Sequence, residues 1–321
     1  MTETVTIKQE YFNKKIVLCL CTRLFFLFVK ILSMQNFKEN FKLYVLSILL
    51  FSNLFIWSAV FGEQDNTLKV AFFDVGQGDA IFIKSPNGKQ VLIDGGSNRA
   101  VMRNLGRMMP FYDRSIDLVV MTHPDADHLG GLLPVLKDYQ VDLVMESGVE
   151  TDSEIYLEYK RIIEEKGIKS ILARQGQKID LGNGAYLSVL FPASDTNDFE
   201  TNTASVILKL VYGESSFLFT GDSPQVIEKY LVRFFGNELD TDVLKLGHHG
   251  SKTSNSELFL GFTSPEYVVA SVGENNRYGH PHKEVLDLLK NLNLDLLRTD
   301  ESGMIVFESD GGEEYQVISD K

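Results

Sequence analysis

Thr122 to Gly131, THPDADHLGG, places four side chains of metal-ligand type within six positions: His123, Asp125, Asp127 and His128. Imidazole nitrogens and carboxylate oxygens suit zinc- and manganese-class ions, and a pair of such ions can activate water for hydrolysis. The run just before them, IDLVVMT, has the pattern of a buried strand. The cluster therefore begins at a strand end, where loop side chains can converge on one or two cations. Pro124 first fixes the backbone, and Gly130-Gly131 then releases it. A solvated acidic turn with two incidental histidines is the competing reading of this stretch alone.

Further stretches carry the same residue types. They are Phe73–Ala80 (FDVGQGDA), Leu92–Gly96 (LIDGG), Asn202–Val206 (NTASV), Phe219–Asp222 (FTGD), Leu244–Ser251 (LKLGHHGS) and Asn276–His282 (NRYGHPH). Taken in this order with the first cluster, they resemble the metallo-β-lactamase superfamily. The cluster is similar to its H-x-H-x-D-H signature, with Asp125 at the middle histidine. That H-x-D-x-D-H-x-G-G form resembles the hydrolase domain of ComEC-type competence proteins. The resemblance covers about residues 68–310. It implies a metal-dependent hydrolase with two divalent ions, zinc or manganese.

By this resemblance His123 and Asp125 hold one ion, and Asp127, His128 and one of His248 and His249 hold the other. Asp222 bridges them. Three carboxylates against two divalent charges leave a near-neutral, electrophilic spot once a hydroxide is added. Asp125 in place of a histidine adds a hard oxygen ligand and moves the preference towards manganese. His248 and His249 stay open alternatives. A strand period would send adjacent side chains to opposite faces, leaving the second to pack or to bind substrate. Two departures stand out. The chain has at most one or two membrane spans and cannot be the many-helix channel of a full ComEC-type protein, so it reads as a stand-alone hydrolase domain. Asn202 stands where the superfamily usually has a third-motif histidine; as a poor ligand it is grouped with the substrate-binding residues.

The remaining candidates have paired readings. Asp94 is expected behind the ligands, accepting a histidine N–H, or as a turn former before Gly-Gly. Asp74 and Asp79 shape the rim or simply form the Gly-rich turn. Asp127 and His280 carry the catalytic roles, His280 by giving a proton to a leaving oxygen or by contacting a phosphate. Ser251 binds a phosphate oxygen or closes a turn.

The elements needed to position these side chains are legible as apolar periodicity. Strand patterns fall at Leu68–Asp74, Ala80–Lys84, Val91–Asp94 and Asp117–Thr122, then at Ala185–Phe191, Ser205–Tyr212 and Phe217–Thr220. Later ones are Val243–Leu246, Tyr267–Ser271, Met304–Phe307 and Tyr315–Ile318. Helical patterns fall at Leu129–Tyr139, Ser153–Lys166, Pro224–Phe235, Ser256–Leu260 and Lys283–Leu292. Two β-rich halves with helices interspersed predict an α/β fold, a four-layer αββα sandwich over residues 67–321.

Residues 1–66 form a separate extension. Leu43 to Gly62 carries no charge and, as a helix, is long enough to span roughly 30 Å. Lys30, Lys38 and Lys42 precede it, and Glu63 and Asp65 follow. The positive-inside rule then puts the hydrolase domain outside the cytoplasm, secreted or membrane-anchored. A start at Met34 would give a signal-peptide layout, with residues 1–33 dispensable. The two cysteines, Cys19 and Cys21, both lie in this extension, so the body holds no disulfide and no thiolate ligand.

Residues 1–62 hold seven Lys/Arg against three Asp/Glu, which leaves 24 against 41 beyond, a net of −17. So acidic a surface repels phosphate backbones at long range, and nucleic-acid chemistry would need a local positive site such as bound metal. Three functions compete. One is hydrolysis of a phosphodiester, either a small molecule or an oligonucleotide. A second is hydrolysis of a phosphorylcholine-type ester, lactone or β-lactam. The third is a non-catalytic metal-binding module. No protein partner is implied.

Overall fold

In the computed structural model, which describes residues 37–61 and 66–320, the strand periodicity resolves into two packed sheets. Strands β1 (Leu68–Phe72), β2 (Ile81–Lys84), β3 (Gln90–Ile93), β4 (Ser115–Met121), β5 (Gln140–Glu146) and β6 (Lys169–Leu172) belong to the first. Strands β7 (Lys178–Gly182), β8 (Ala185–Phe191), β9 (Ile207–Tyr212), β10 (Ser215–Phe219), β11 (Val243–Lys245), β12 (Tyr267–Ala270) and β13 (Asp295–Arg298) make the second. The chain then returns to the first sheet with β14 (Ile305–Ser309) and β15 (Gln316–Ser319). The orders are β15-β14-β1-β2-β3-β4-β5-β6 and β13-β12-β11-β10-β9-β8-β7.

Side-chain alternation assigns the layers. Leu68, Val70 and Phe72 of β1 meet Leu208, Leu210, Phe217 and Phe219 of the second sheet in the inter-sheet core. Ala71, on the other face of β1, joins Val101, Leu105, Leu132 and Tyr159 from helices on the outside of the first sheet. Leu218 and Leu244 likewise face Leu231, Phe259 and Leu289 outside the second. The result is the αββα sandwich that the pattern predicts.

Two parallel runs matter for the site: β3, β4 and β5 in the first sheet, and β10, β11 and β12 in the second. Loops leaving the carboxyl ends of parallel strands are where open α/β sheets gather ligands.

The structure departs from the sequence reading where burial is low or a backbone contact intervenes. Strands β6, β7 and β13 show mixed or exposed positions, so they carry little apolar signature. Strand β5 and the helix Ala100–Met108 are likewise absent from the periodicity reading. The helix expected over Leu129–Tyr139 is two helices, Ala126–Leu129 and Leu132–Asp138, parted at Gly130-Gly131.

The chain divides into two compact units, residues 1–64 and 65–321. In the first, Phe37–Phe61 is one helix. Its Ser47 hydroxyl donates to the Leu43 carbonyl at 2.8 Å and Asn53 Nδ2 to the Leu49 carbonyl at 3.3 Å, which satisfies two polar groups within the helix itself. Among the described residues, no helix is long and apolar enough to cross a membrane. The segment expected over residues 43–62 falls on this helix as far as Phe61, and Gly62 lies outside the described residues. Residues 1–36, with Met34 and both cysteines, also lie outside them.

Candidate metal centre

The site is assembled by backbone hydrogen bonds between loops. The Val206 amide donates to the Thr122 carbonyl at 3.0 Å, joining the ends of strands from opposite sheets. Gly95 donates to His128 (2.7 Å), Gly96 to Asp79 (2.7 Å) and His248 to Gly221 (3.0 Å). Gly78 closes the frame. A Cβ built there would collide with the Asp127 backbone carbonyl, and φ is +119°. Only glycine lets the loop that carries Asp79 lie against the Asp127 loop.

Among the described residues, four triads have ligand atoms within 4.8 Å of one another: His123/His128/Asp222, Asp127/His128/His249, Asp79/Asp94/His128 and Asp79/Asp222/His249. His128 Nε2 is 3.3 Å from Asp222 Oδ1, and His249 Nε2 is 3.4 Å from Asp127 Oδ2 and 3.5 Å from Asp222 Oδ2. His123 and His128 have ring centroids 4.1 Å apart. The buried Nε2 atoms of His123, His128 and His249, with Oδ1 of Asp222 and Asp79, have no hydrogen-bond partner. Buried polar atoms are rarely left so. Imidazole and carboxylate atoms converging in this state are the donor set a divalent ion requires, so the residues fit the implied metals.

The outer faces of all three imidazoles are occupied. Asp94 accepts from His128 Nδ1 at 2.8 Å, from the Thr122 amide at 2.8 Å and from the Thr122 hydroxyl at 2.6 Å. Having given its proton to Asp94, the Thr122 oxygen accepts from His123 Nδ1 at 3.0 Å. Both imidazoles are thereby held as Nδ1–H tautomers, each with Nε2 free towards the cluster. His249 Nδ1 donates to the Ser271 carbonyl at 2.9 Å, with the same outcome.

Charge distribution follows from burial against neighbours. Burial would raise the Asp79 carboxyl, but Lys245, His249 and His128 together outweigh it and bring the pKa down to about 2. Asp127 and Asp222 are likewise held below the usual range despite burial, by His249 and His128. Burial, then His128, depresses His123 to about 4. Burial also opposes charge on His249 and His128, yet Asp222, with Asp79 or Asp94, raises His249 to about 9 and His128 well above its usual value. In the metal-free protein these two carry protons that divalent ions would displace.

Several expected positions move. Asp125 caps the helix Ala126–Leu129 through its backbone carbonyl, with no capping bond from its side chain. Its carboxylate stays 41% exposed, 3.8 Å from His123 Nε2, and belongs to none of the four triads. Among the described residues, the triad that contains His123 groups it with His128 and Asp222. His248 and His249 are not on a strand: Gly247–Gly250 is a kinked turn with left-handed φ of 50° and 55° at the two histidines. The opposite-face argument therefore fails and both approach Asp222, His248 Nε2 at 3.5 Å. Only His249 is buried and enters the triads.

Asp79, expected at the rim, is buried inside the cluster. Asp74 is a turn former, accepting from the Gly76 amide at 3.2 Å. Ser251, expected to meet substrate, is buried and closes a turn with Thr253. Asn202 opens a short 3₁₀ turn, with its Oδ1 buried and without a partner. His280 lies beside the cluster, 5.4 Å from His248 and 6.2 Å from His249 between ring centroids. Burial and those two histidines lower its pKa to about 4.

Two residues escaped the sequence reading. Thr122 gave no signal, since threonine is ordinary in strands. Lys245 gave one: a charge inside the apolar run VLKL. Its side chain is fully buried, pairs with Asp79 and donates to the Gly221 carbonyl at 3.3 Å. Asp79 comes from the first sheet's loop and Lys245 from the second sheet, so this pair ties the two halves together beneath the cluster. A cleft of about 860 Å³ beside β7–β9, lined by Lys178, Tyr186, Tyr230 and Phe234 among others, contains no residue of the cluster.

The model of the metallo-beta-lactamase superfamily matches residues 73–273. The chain is 32% identical over 274 residues to ComE operon protein 3 of Bacillus subtilis, covering 79% of this chain and 34% of that protein. It is 32% identical over 244 residues to competence protein ComA of Neisseria gonorrhoeae, covering 76% and 32%. The chain thus spans about a third of the length of these relatives. Among solved structures, the metallo-β-lactamase fold protein YhfI of Bacillus subtilis matches with a TM-score of 0.51 at 14% identity, over 76% of this chain and 99% of that one. Igni18, a metallo hydrolase of Ignicoccus hospitalis, matches at 0.50 and 17%, over 75% and 98%.

Proposed function

Because the chain belongs to the metallo-β-lactamase superfamily, we propose that its second unit is a metal-dependent phosphodiesterase acting on single-stranded or short nucleic acid. The carrying observation is the convergence of unpartnered His123, His128, His249, Asp222 and Asp79 atoms in one buried cluster. His123, His128 and Asp222 would hold one ion, and His249 and Asp222, with Asp127 or Asp79, the other. Such ions, when bound, polarise a phosphoryl oxygen and lower the pKa of a bound water.

The chain's own groups supply the rest. Asp94 and Thr122 orient two imidazoles, Lys245 neutralises Asp79, and His280, held neutral, offers a ring N–H beside the cluster. A phosphodiester is favoured over an ester or lactone by the relatives named for competence, and by a third relative, recombination protein 2 of Haemophilus influenzae, 31% identical over 245 residues. The −17 of residues 63–321 favours short strands over long duplex. The basic-to-acidic order of charges around residues 43–62 supports a location outside the cytoplasm, which protease accessibility on intact cells checks.

The test is cleavage of a labelled oligonucleotide by the full chain, with manganese or zinc. Asp222→Ala is expected to reduce the rate by at least ~100-fold, the scale of losing a group that stabilises the transition state. A wild-type protein that binds metal but leaves every phosphodiester intact while hydrolysing nitrocefin or a lactone would overturn the reading.

A further inference from the structure

We propose that Tyr278 and Arg277 form a nucleobase- and phosphate-binding platform at the mouth of the cluster. This rests on the phosphodiester reading and specifies its substrate: a strand with an unpaired base next to the reacting phosphate.

Tyr278 is 49% exposed. The other exposed large aromatics among residues 66–320, Phe111, Tyr112 and Phe234, lie on elements that bring no residue to the cluster. The Tyr278 ring is stacked on His280 at 5.7 Å and 22°. His280 in turn lies 5.4 and 6.2 Å from His248 and His249. A row of rings thus leads from solvent to the cluster. Its inner member, His280, is buried with an Nδ1 that has no partner.

The loop that carries Tyr278 is fixed from within. Asn276 Oδ1 accepts from the His280 amide at 2.9 Å, while its Nδ2 donates to the His280 carbonyl at 2.7 Å and the Gly273 carbonyl at 3.1 Å. One amide side chain therefore clamps both sides of Tyr278 and pre-organises it, which reduces the ordering cost of binding. Arg277 donates to the Tyr278 hydroxyl at 2.7 Å, with its guanidinium 4.9 Å from the ring centroid. On so acidic a body, a cation and an exposed ring side by side match one repeating unit of a single strand, phosphate and base.

The test compares dissociation constants of two fluorescent phosphorothioate strands of equal length, one oligo-dA and one abasic, on the manganese-loaded full chain. Phosphorothioate linkages slow cleavage during the measurement. Wild type is expected to prefer the base-bearing strand by roughly 5- to 100-fold, the scale of stacking one base on an aromatic ring. Tyr278→Ala brings that ratio close to one, and Tyr278→Phe and Tyr278→Trp keep it. Arg277→Ala weakens both strands together and preserves the ratio. A wild type without preference, or a Tyr278→Ala that retains it, overturns the platform. If wild type discriminates through Tyr278 but cleaves no phosphodiester, the platform stands and the function reading fails. If it cleaves without discriminating, the reverse holds.

Discussion

Asp94 is the residue through which the most ligand geometry passes. Its two oxygens accept three donors: the Thr122 amide, the Thr122 hydroxyl and His128 Nδ1. Asparagine is isosteric but replaces one acceptor with an NH₂, so at least one of those donors then faces another donor. Asp94→Asn is therefore expected to weaken metal binding by roughly 10- to 100-fold, as second-layer partners of ligating histidines do. Competition against a chromophoric chelator measures this, and unchanged affinity in a folded variant would remove the orienting role. Asp94 and the histidines were readable as residue types. Lys245 showed only as a charge in an apolar run and Thr122 not at all, because their roles come from what the second sheet and the next side chain put beside them.

At the scale of elements, the Gly130-Gly131 pair shows what sequence conveys and what it hides. Glycines near a helix signal an interruption, and the structure breaks the helix there. The reason is a backbone approach from another strand's loop: a Cβ on Gly131 would collide with the Gly95 carbonyl, while the Gly131 amide donates to Gly96 at 2.8 Å. Gly131→Ala is thus expected to destabilise by roughly 1–3 kcal/mol or more through overpacking. Gly106, exposed within the helix Ala100–Met108, has nothing within 4 Å of a built Cβ. Gly106→Ala is expected to stabilise by about 0.5–1 kcal/mol, on helix propensity alone. Denaturant melts of both variants check the opposite signs; equal effects would discard the contact argument. The His248-His249 turn teaches the same lesson, since two left-handed residues in succession broke the strand period used to separate them.

At the scale of the molecule, buried titrating groups should govern the stability of the metal-free domain. His249, raised to about 9 from 6.5, contributes stability that is complete below pH 6.5 and lost as pH rises through 9. His123 and His280, depressed to about 4, act oppositely: their contribution is complete above 6.5 and lost as pH falls towards 4. Stability of the metal-free protein is therefore expected to peak near pH 6.5. Titration of His249 alone removes about 2–3 kcal/mol between pH 6.5 and 9, or roughly 5–10 °C in Tm. Metal loading replaces the proton on Nε2 and should abolish the alkaline decline. Melting curves with and without chelator test this, and parallel curves across that range would contradict the buried proton.

By itself, the sequence determined the ligand types, the order of their motifs and the layered architecture, because apolar periodicity and loop chemistry are local properties of the chain. Which oxygens and nitrogens share a centre was decided only in three dimensions. Asp79 became a buried partner of Lys245, the Asp125 carboxylate stayed partly exposed 3.8 Å from His123 Nε2, and His249 was buried more deeply than His248, through contacts between loops from two different sheets. Such contacts depend on how the sheets pack, and no spacing along the chain records that.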